Sequence, residues 1–247
     1  MIPWELVDSA PIPKNRGELC LFRRGKEFSI RVERYELMNS RAHASEDALA
    51  ELACARIAAC PGLRLLIGGL GMGFTTASAL RSLDNRRGQT TLPGTPSPRE
   101  SREQTMPARS TAVGTPIDSI VVAELVPAVV TWNRGPLADL AGRPLDDSRV
   151  SVREVDVAEI LKTSRHEYDA ILLDVDNGPD GITQDENNWL YSQAGLHAAC
   201  NALRPAGVFA VWSSRTNPTL AIAPNALERA MYCAASLSFA SRIPLNS

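Results

Sequence analysis

Apolar positions along this chain fall into short unbroken runs separated by stretches with helical spacing. Leu63–Ile67 is apolar at four of five positions, and Ala170–Leu173 is apolar throughout. Runs of this length without alternation read as strands buried on both faces. Ser119–Glu124, Val150–Val152 and Val208–Trp212 are three further strand candidates. Between them the spacing predicts helices. Ser45 is a suitable N-cap, with Glu46 and Asp47 in the first turn, and Leu49, Leu52, Ala53 and Ile57 follow at helical intervals until Pro61-Gly62. Helices are also predicted over Phe74–Leu83, Pro127–Leu140 and Tyr191–Leu203, the last with Leu196, Ala199, Cys200 and Leu203 on one stripe. Strands alternating with helices predict an α/β chain with a mostly parallel, twisted sheet and helices on both faces.

The ends and one internal stretch depart from this rhythm. Residues 1–40 read as a small β region: Glu18–Arg24 and Glu27–Glu33 form a hairpin around Gly25-Lys26, and Leu37–Met38 adds a short extended piece. Residues 41–247 are expected to form the larger domain, which carries the alternating strands and helices. Within it, Asp84–Asp118 holds 17 Gly, Pro, Ser or Thr among 35 residues, and no apolar period is sustained. That composition predicts a disordered insertion over 84–118. Its five Arg against four acids leave a basic recognition arm as the alternative. Beyond Ser214 the pattern weakens to a helix over Asn225–Cys233 and a last strand over Leu237–Ile243.

Composition narrows the function classes. A chain of 247 residues with 44% hydrophobic and 22% charged positions has ample material for a core. A net charge of −2 argues against a generic nucleic-acid binder. No apolar run approaches the roughly 20 residues of a membrane helix, so no membrane partner is expected. The N-terminal MIPWELVDSAPIPK carries neither a basic leader nor an apolar core, so a cytoplasmic protein is expected. The five cysteines form no CxxC pair and the three histidines stand apart, so no metal site is expected.

Candidate chemistry gathers at strand ends. Leu63–Ile67 runs into Gly68-Gly69-Leu70-Gly71-Met72-Gly73 and then a helix start. Such a turn either answers steric needs alone or lets a ligand approach the backbone at a helix N-terminus. Glu124 ends the second strand, where a carboxylate accepts from both ribose hydroxyls or stands as a solvated acid. Asp156 lies just past the third strand, as the holder of a base edge or a helix N-cap. Asp174 ends the fourth, opposite the glycine turn, where it positions and deprotonates an amine or holds a cation. Between Arg165 and Arg204 there is no Lys or Arg, while Glu167, Asp169, Asp174, Asp176, Asp180, Asp185 and Glu186 crowd the interval. This run is either a solvated face or the mouth of a cleft that attracts cations. Arg41 and His43 either line that cleft or sit at the surface. Trp189 and Tyr191 either wall a channel or pack in the core.

Taken in order, IVVAELVPAVV, DDSRVSVREVDVAEIL and YDAILLDVDNGPDG, after GGLGMG, resemble the spermidine synthase-like family of polyamine aminopropyltransferases, built on the class I S-adenosylmethionine-dependent methyltransferase fold. The resemblance covers roughly residues 17–83 and 118–214. It implies that Gly68, Gly69 and Gly71 approach the methionine-derived part of a nucleoside, Glu124 holds the ribose and Asp156 the adenine amino group. It implies that Asp174 activates the attacking amine, with Asp176, Asn177 and Tyr191 binding the substrate. The nucleoside implied is decarboxylated S-adenosylmethionine, the acceptor a polyamine such as putrescine, with no metal and a possible homodimer. This sequence departs from the family at Asn177, where an Asp commonly recurs, at Gly71, where an Asp is common, and over its C-terminal thirty or so residues. A methyltransferase using S-adenosylmethionine and a non-catalytic nucleoside-binding homologue are the alternatives.

Overall fold

The computed structural model describes residues 2–13, 17–57, 60–90, 118–175, 189–213 and 234–235. Four antiparallel strands come first: β1 (Glu5–Pro11), β2 (Glu18–Arg24), β3 (Glu27–Val32) and β4 (Tyr35–Asn39), in the order β1-β2-β3-β4. A helix α1 (Ala44–Arg56) leads to a second sheet. This contains β5 (Arg64–Gly68), β6 (Ser119–Ala123), β7 (Val150–Arg153), β8 (Tyr168–Leu173), β9 (Leu203–Ser213) and the two-residue β10 (Ala234–Ala235). Helices α2 (Phe74–Thr90), α3 (Pro127–Arg134), α4 (Val157–Thr163) and α5 (Gln193–Ala202) alternate with the strands. The order is β10-β9-β8-β5-β6-β7, with every described neighbour pair parallel.

The apolar runs explain this layering. In β5, Leu65 and Ile67 face a core shared with α1, α2, α3 and the small sheet, whereas Leu66 faces α4 and α5. In β8, Ala170 and Leu172 join the first core and Ile171 and Leu173 the second. Period-two alternation thus sends every side chain of a central strand into one of two apolar layers. The small sheet joins the first layer through Leu19, Leu21, Ile30 and Val32. The buried Trp132 of α3 ties it down by donating its indole N–H to Asp8 Oδ2 at 2.7 Å.

Winding fixes where a ligand can sit. The chain runs from β5 outward to β6 and β7, then returns to place β8 on the other side of β5. The reversal opens a crevice at the carboxyl ends of β5, β6 and β8.

Several boundaries differ from those the sequence predicts. Helix α2 runs through Asp84 to Thr90 instead of yielding to an insertion at 84. Asp84 is held there by Arg149, which also pairs with Asp147. At the other margin Asp118 is buried and accepts from the Leu63 N–H at 3.0 Å, so it belongs to the sheet. The rest of that segment, 91–117, lies outside the described residues, as do the predicted elements over Asn225–Cys233 and Leu237–Ile243. Helix α3 stops at Gly135 because Pro136 follows, which disfavours the helical conformation in the residue before it. His43, rather than Ser45, is the N-cap of α1. Leu52 of α1 is exposed, whereas Leu49, Ala53 and Ile57 are buried. The edge strand β1 was absent from the predicted elements. Its Leu6 and Val7 are exposed, so no burial alternation marks it.

Candidate functional site

The glycine turn is shaped by contacts that leave no room for side chains. Gly69 has φ +91°, and a Cβ there would lie 2.3 Å from the carbonyl oxygen of Asp174. Strands β5 and β8 therefore close to backbone contact just where they end. The Asp174 N–H donates to Gly68 O at 2.8 Å, and the Gly69 N–H to Ala123 O at 2.9 Å. Gly71, at φ +52°, is covered by Met38 of β4, whose Sδ would be 3.0 Å from an added Cβ. Gly69 is required on both steric and conformational grounds, whereas Gly71 is favoured by its positive φ, since the end of the Met38 side chain can shift.

Glu124 braces this turn from β6. It is only 8% exposed, and it accepts from the Leu70 N–H at 2.9 Å through Oε2 and from the Val126 N–H at 2.8 Å through Oε1. Burial raises its carboxyl above the usual glutamate range, while backbone N–H donors of Val126, Leu70, Leu125 and Gly71 act in the opposite direction. Asp156 caps α4 by accepting from the Ala158 N–H at 2.9 Å. Asp174 accepts a 2.5 Å hydrogen bond at Oδ2 from the hydroxyl of Thr75, near the start of α2.

These groups surround a cavity of about 170 Å³. Gly69, Gly71, Glu124, Asp156 and Asp174 line it. Its walls are otherwise apolar, and Leu19, Ile30, Leu37 and Met38 of the small sheet, with Ile12 just beyond β1, form one side. A smaller cavity, about 50 Å³, adjoins it across Met38 and Gly71. Leu70, Met72, Phe74 and Trp212 give the second cavity apolar and aromatic walls, and Glu46 and Asp174 give it two carboxylates. Asp174, Gly71, Leu37 and Met38 border both. Among the described lining residues there is no Lys, Arg or His.

The sequence-predicted residues distribute unevenly over this site. Gly69, Gly71, Glu124, Asp156 and Asp174 converge on the larger cavity, with Gly68 directly beneath at the end of β5. Tyr191 lies apart, packed with Trp189 against the core layer of α4 and α5, and its neighbour Leu190 reaches the cavity instead. Trp189 lies beneath Lys162, 4.9 Å from its ring centroid. Asp176 and Asn177 fall outside the described residues. The acidic run also divides. Glu167 and Asp169 sit at the amino end of β8, away from the crevice, where they pair with Arg64 and Arg204. Arg41 is exposed near Glu27, and His43 stacks on Phe74 while contacting Asp47 at 2.8 Å.

Glu46, Thr75 and Met38 are additions from the structure. The sequence marks Glu46 as a first-turn acid of α1 and Leu37–Met38 as a strand fragment. Neither signal places them beside residues that lie more than a hundred positions later.

Group by group, the arrangement has a definite chemistry. Three carboxylates in an apolar cavity attract a cationic ligand and disfavour phosphate. The apolar walls suit a nucleobase. A second, narrower cavity with carboxylates and an indole suits an alkyl chain ending in ammonium.

No family model matches the sequence, and no curated protein matches it. Solved structures do match. The spermidine synthase from Thermotoga maritima aligns with a TM-score of 0.54 at 14% identity, over 83% of this chain and 55% of that one. A spermidine synthase in complex with the transition-state analogue AdoDATO aligns with a TM-score of 0.52 at 14% identity, over 81% of this chain and 53% of that one. The chain thus spans about half the length of the structures it matches, and over that span it shares the spermidine synthase fold.

Proposed function

We propose that this protein is an aminopropyltransferase that moves the aminopropyl group of decarboxylated S-adenosylmethionine onto a polyamine such as putrescine. The observation that carries the reading is the position of Asp174, a carboxylate bordering both the larger cavity and the smaller one that also holds Glu46. A spermidine synthase of the same fold binds the transition-state analogue AdoDATO, which supports it.

In this reading the turn at Gly68, Gly69 and Gly71 approaches the methionine-derived part of the nucleoside. Glu124 accepts from the ribose hydroxyls, and Asp156 from the adenine amino group. The acceptor lies in the smaller cavity with its chain against Phe74 and Trp212. Glu46 holds an ammonium there. An ammonium is no nucleophile until it loses a proton, and Asp174 takes that proton. The freed nitrogen forms a bond to the aminopropyl carbon as the carbon–sulfur bond breaks, leaving its electron pair on sulfur. Charge disappears from the sulfonium, so no metal is called for to stabilise the leaving group.

Calorimetric titration with decarboxylated and intact S-adenosylmethionine tests the assignment. Preferred binding of the decarboxylated form is expected, because a carboxylate added among Glu124, Asp156 and Asp174 is repelled. Preference for the intact nucleoside overturns the reading in favour of methyl transfer. Asp174→Asn is expected to retain nucleoside binding and lose transfer to putrescine by about 100-fold or more, the usual worth of a positioned base.

A further inference from the structure

We infer that Thr75 is a positioning residue for Asp174, fixing the carboxylate where the two cavities meet and holding it in its ionised form. Thr75 is the second residue of α2, directly beyond the glycine turn, and is 1% exposed. Its hydroxyl donates to Asp174 Oδ2 at 2.5 Å, across 99 positions of sequence. The carboxylate is therefore restrained through its side chain as well as through its backbone N–H on Gly68 O.

The surroundings give this bond electrostatic weight. Glu124 at the end of β6 and Asp156 at the start of α4 border the larger cavity with Asp174, and Glu46 of α1 borders the smaller. All three are acidic, and like charges favour protonation of a carboxylate. Of the other charged groups on α1 and α2, His43 and Arg81 both pair with Asp47, and none of the three borders either cavity. A hydroxyl donor on Oδ2 stabilises the charged form and opposes the acidic neighbours. A protonated Asp174 cannot accept a proton from an amine, so Thr75 sets the lower pH limit of the base. The neighbouring Thr76 is equally buried, yet its hydroxyl makes no hydrogen bond among the described residues. The device thus belongs to position 75.

This inference rests on the reading of Asp174 as the proton acceptor, and its test separates the two. The side-chain carboxyl carbons of aspartate are labelled with 13C and titrated by NMR in the ligand-free protein, with the Asp174 signal identified by its loss in Asp174→Asn. In Thr75→Val the midpoint of Asp174 is expected to rise by about one pH unit, a tenfold gain in proton affinity. Thr75→Ser restores the wild-type midpoint, and Thr76→Val leaves it unchanged. Where putrescine transfer is measurable, the acid limb of its kcat/KM profile moves with that midpoint while nucleoside affinity holds. An unchanged midpoint in Thr75→Val overturns the inference, as does an equal rise in Thr75→Ser. A shifted midpoint without transfer in any form of the protein sustains the inference and defeats the aminopropyl reading.

Discussion

Gly69 meets a tight geometric demand where β5 ends against β8, and replacing it with alanine measures that demand directly. Two costs are expected. The first is conformational: an L-residue held at φ +91° is strained by roughly 1–2 kcal/mol, partly offset by the lower backbone entropy of alanine in the unfolded chain. The second is steric. An added Cβ lies 2.3 Å from Asp174 O and 3.0 Å from its carbonyl carbon, both backbone atoms. No rotamer change relieves that overlap, so the ends of β5 and β8 must separate, stretching the Asp174 N–H bond to Gly68 O. Overpacking of this kind costs about 1–3 kcal/mol. Gly69→Ala is expected to lose about 2–4 kcal/mol, a fall in Tm of roughly 4–16 °C for a chain of this size.

Gly142→Ala is the matched control. Its φ is +77°, but a Cβ there meets nothing within 4 Å, so only the conformational cost of about 1 kcal/mol applies. Urea unfolding of both variants beside the wild type, with unchanged slopes, isolates the steric part as the difference in midpoint. The displaced atoms are those of Asp174 itself, so under the proposed function Gly69→Ala is also expected to weaken nucleoside binding while Gly142→Ala does not. Equal destabilisation by the two substitutions refutes the claim that the glycine turn is set by close approach to β8.

Two further outcomes concern buried side chains. Burial raises the Glu124 carboxyl, so the folded chain holds a proton there more tightly than the unfolded chain does. The associated stability is fully present below the ordinary glutamate range and is lost as pH rises through the elevated folded value. Glu124→Gln removes that component, so urea unfolding of the variant and the wild type across this window yields a stability difference that varies with pH; a constant difference contradicts the assignment. Burial also pushes the Cys54 thiol up to about 11, whereas Cys60 is exposed. Iodoacetamide at pH 8 is expected to alkylate Cys60 in the native protein and Cys54 only after unfolding, as read by peptide mass; comparable native labelling refutes the packing of α1 against α2.

Much of the fold is legible in the sequence because the central strands are buried on both faces. Leu65–Ile67 and Ala170–Leu173 cannot be solvated on either side, and an unbroken apolar run is the direct record of that. β1 left no such record. Its place depends on backbone pairing with β2, and its side chains are largely exposed. The last turns of α2 were obscured because residues 84–90 are polar and share the composition of the segment 91–117 beyond them. Asp84 is secured there by Arg149, 65 positions away, a contact no local pattern reports.

The acidic run between Arg165 and Arg204 shows why a count of charges is a poor guide to a site. Glu167, Asp169 and Asp174 lie within eight residues of one another and are equivalent by composition. Asp169 is the second residue of β8 and pairs with Arg204 at 2.8 Å, and it also accepts from the Arg64 N–H at 2.7 Å, so it helps set the register of β5 against β8. Asp174 follows the same strand at its other end, where parallel pairing brings it level with the glycine turn. A parallel strand separates its two ends by its own length. What distinguishes the two acids is therefore the direction of β8 and the reversal of winding beside it. Glu46 extends the argument: it belongs to no acidic run, yet α1 carries it to the cavity that Asp174 borders. The chemistry of this crevice is set by which strand and helix ends the topology gathers, and a carboxylate acquires a role there only by arriving at that edge.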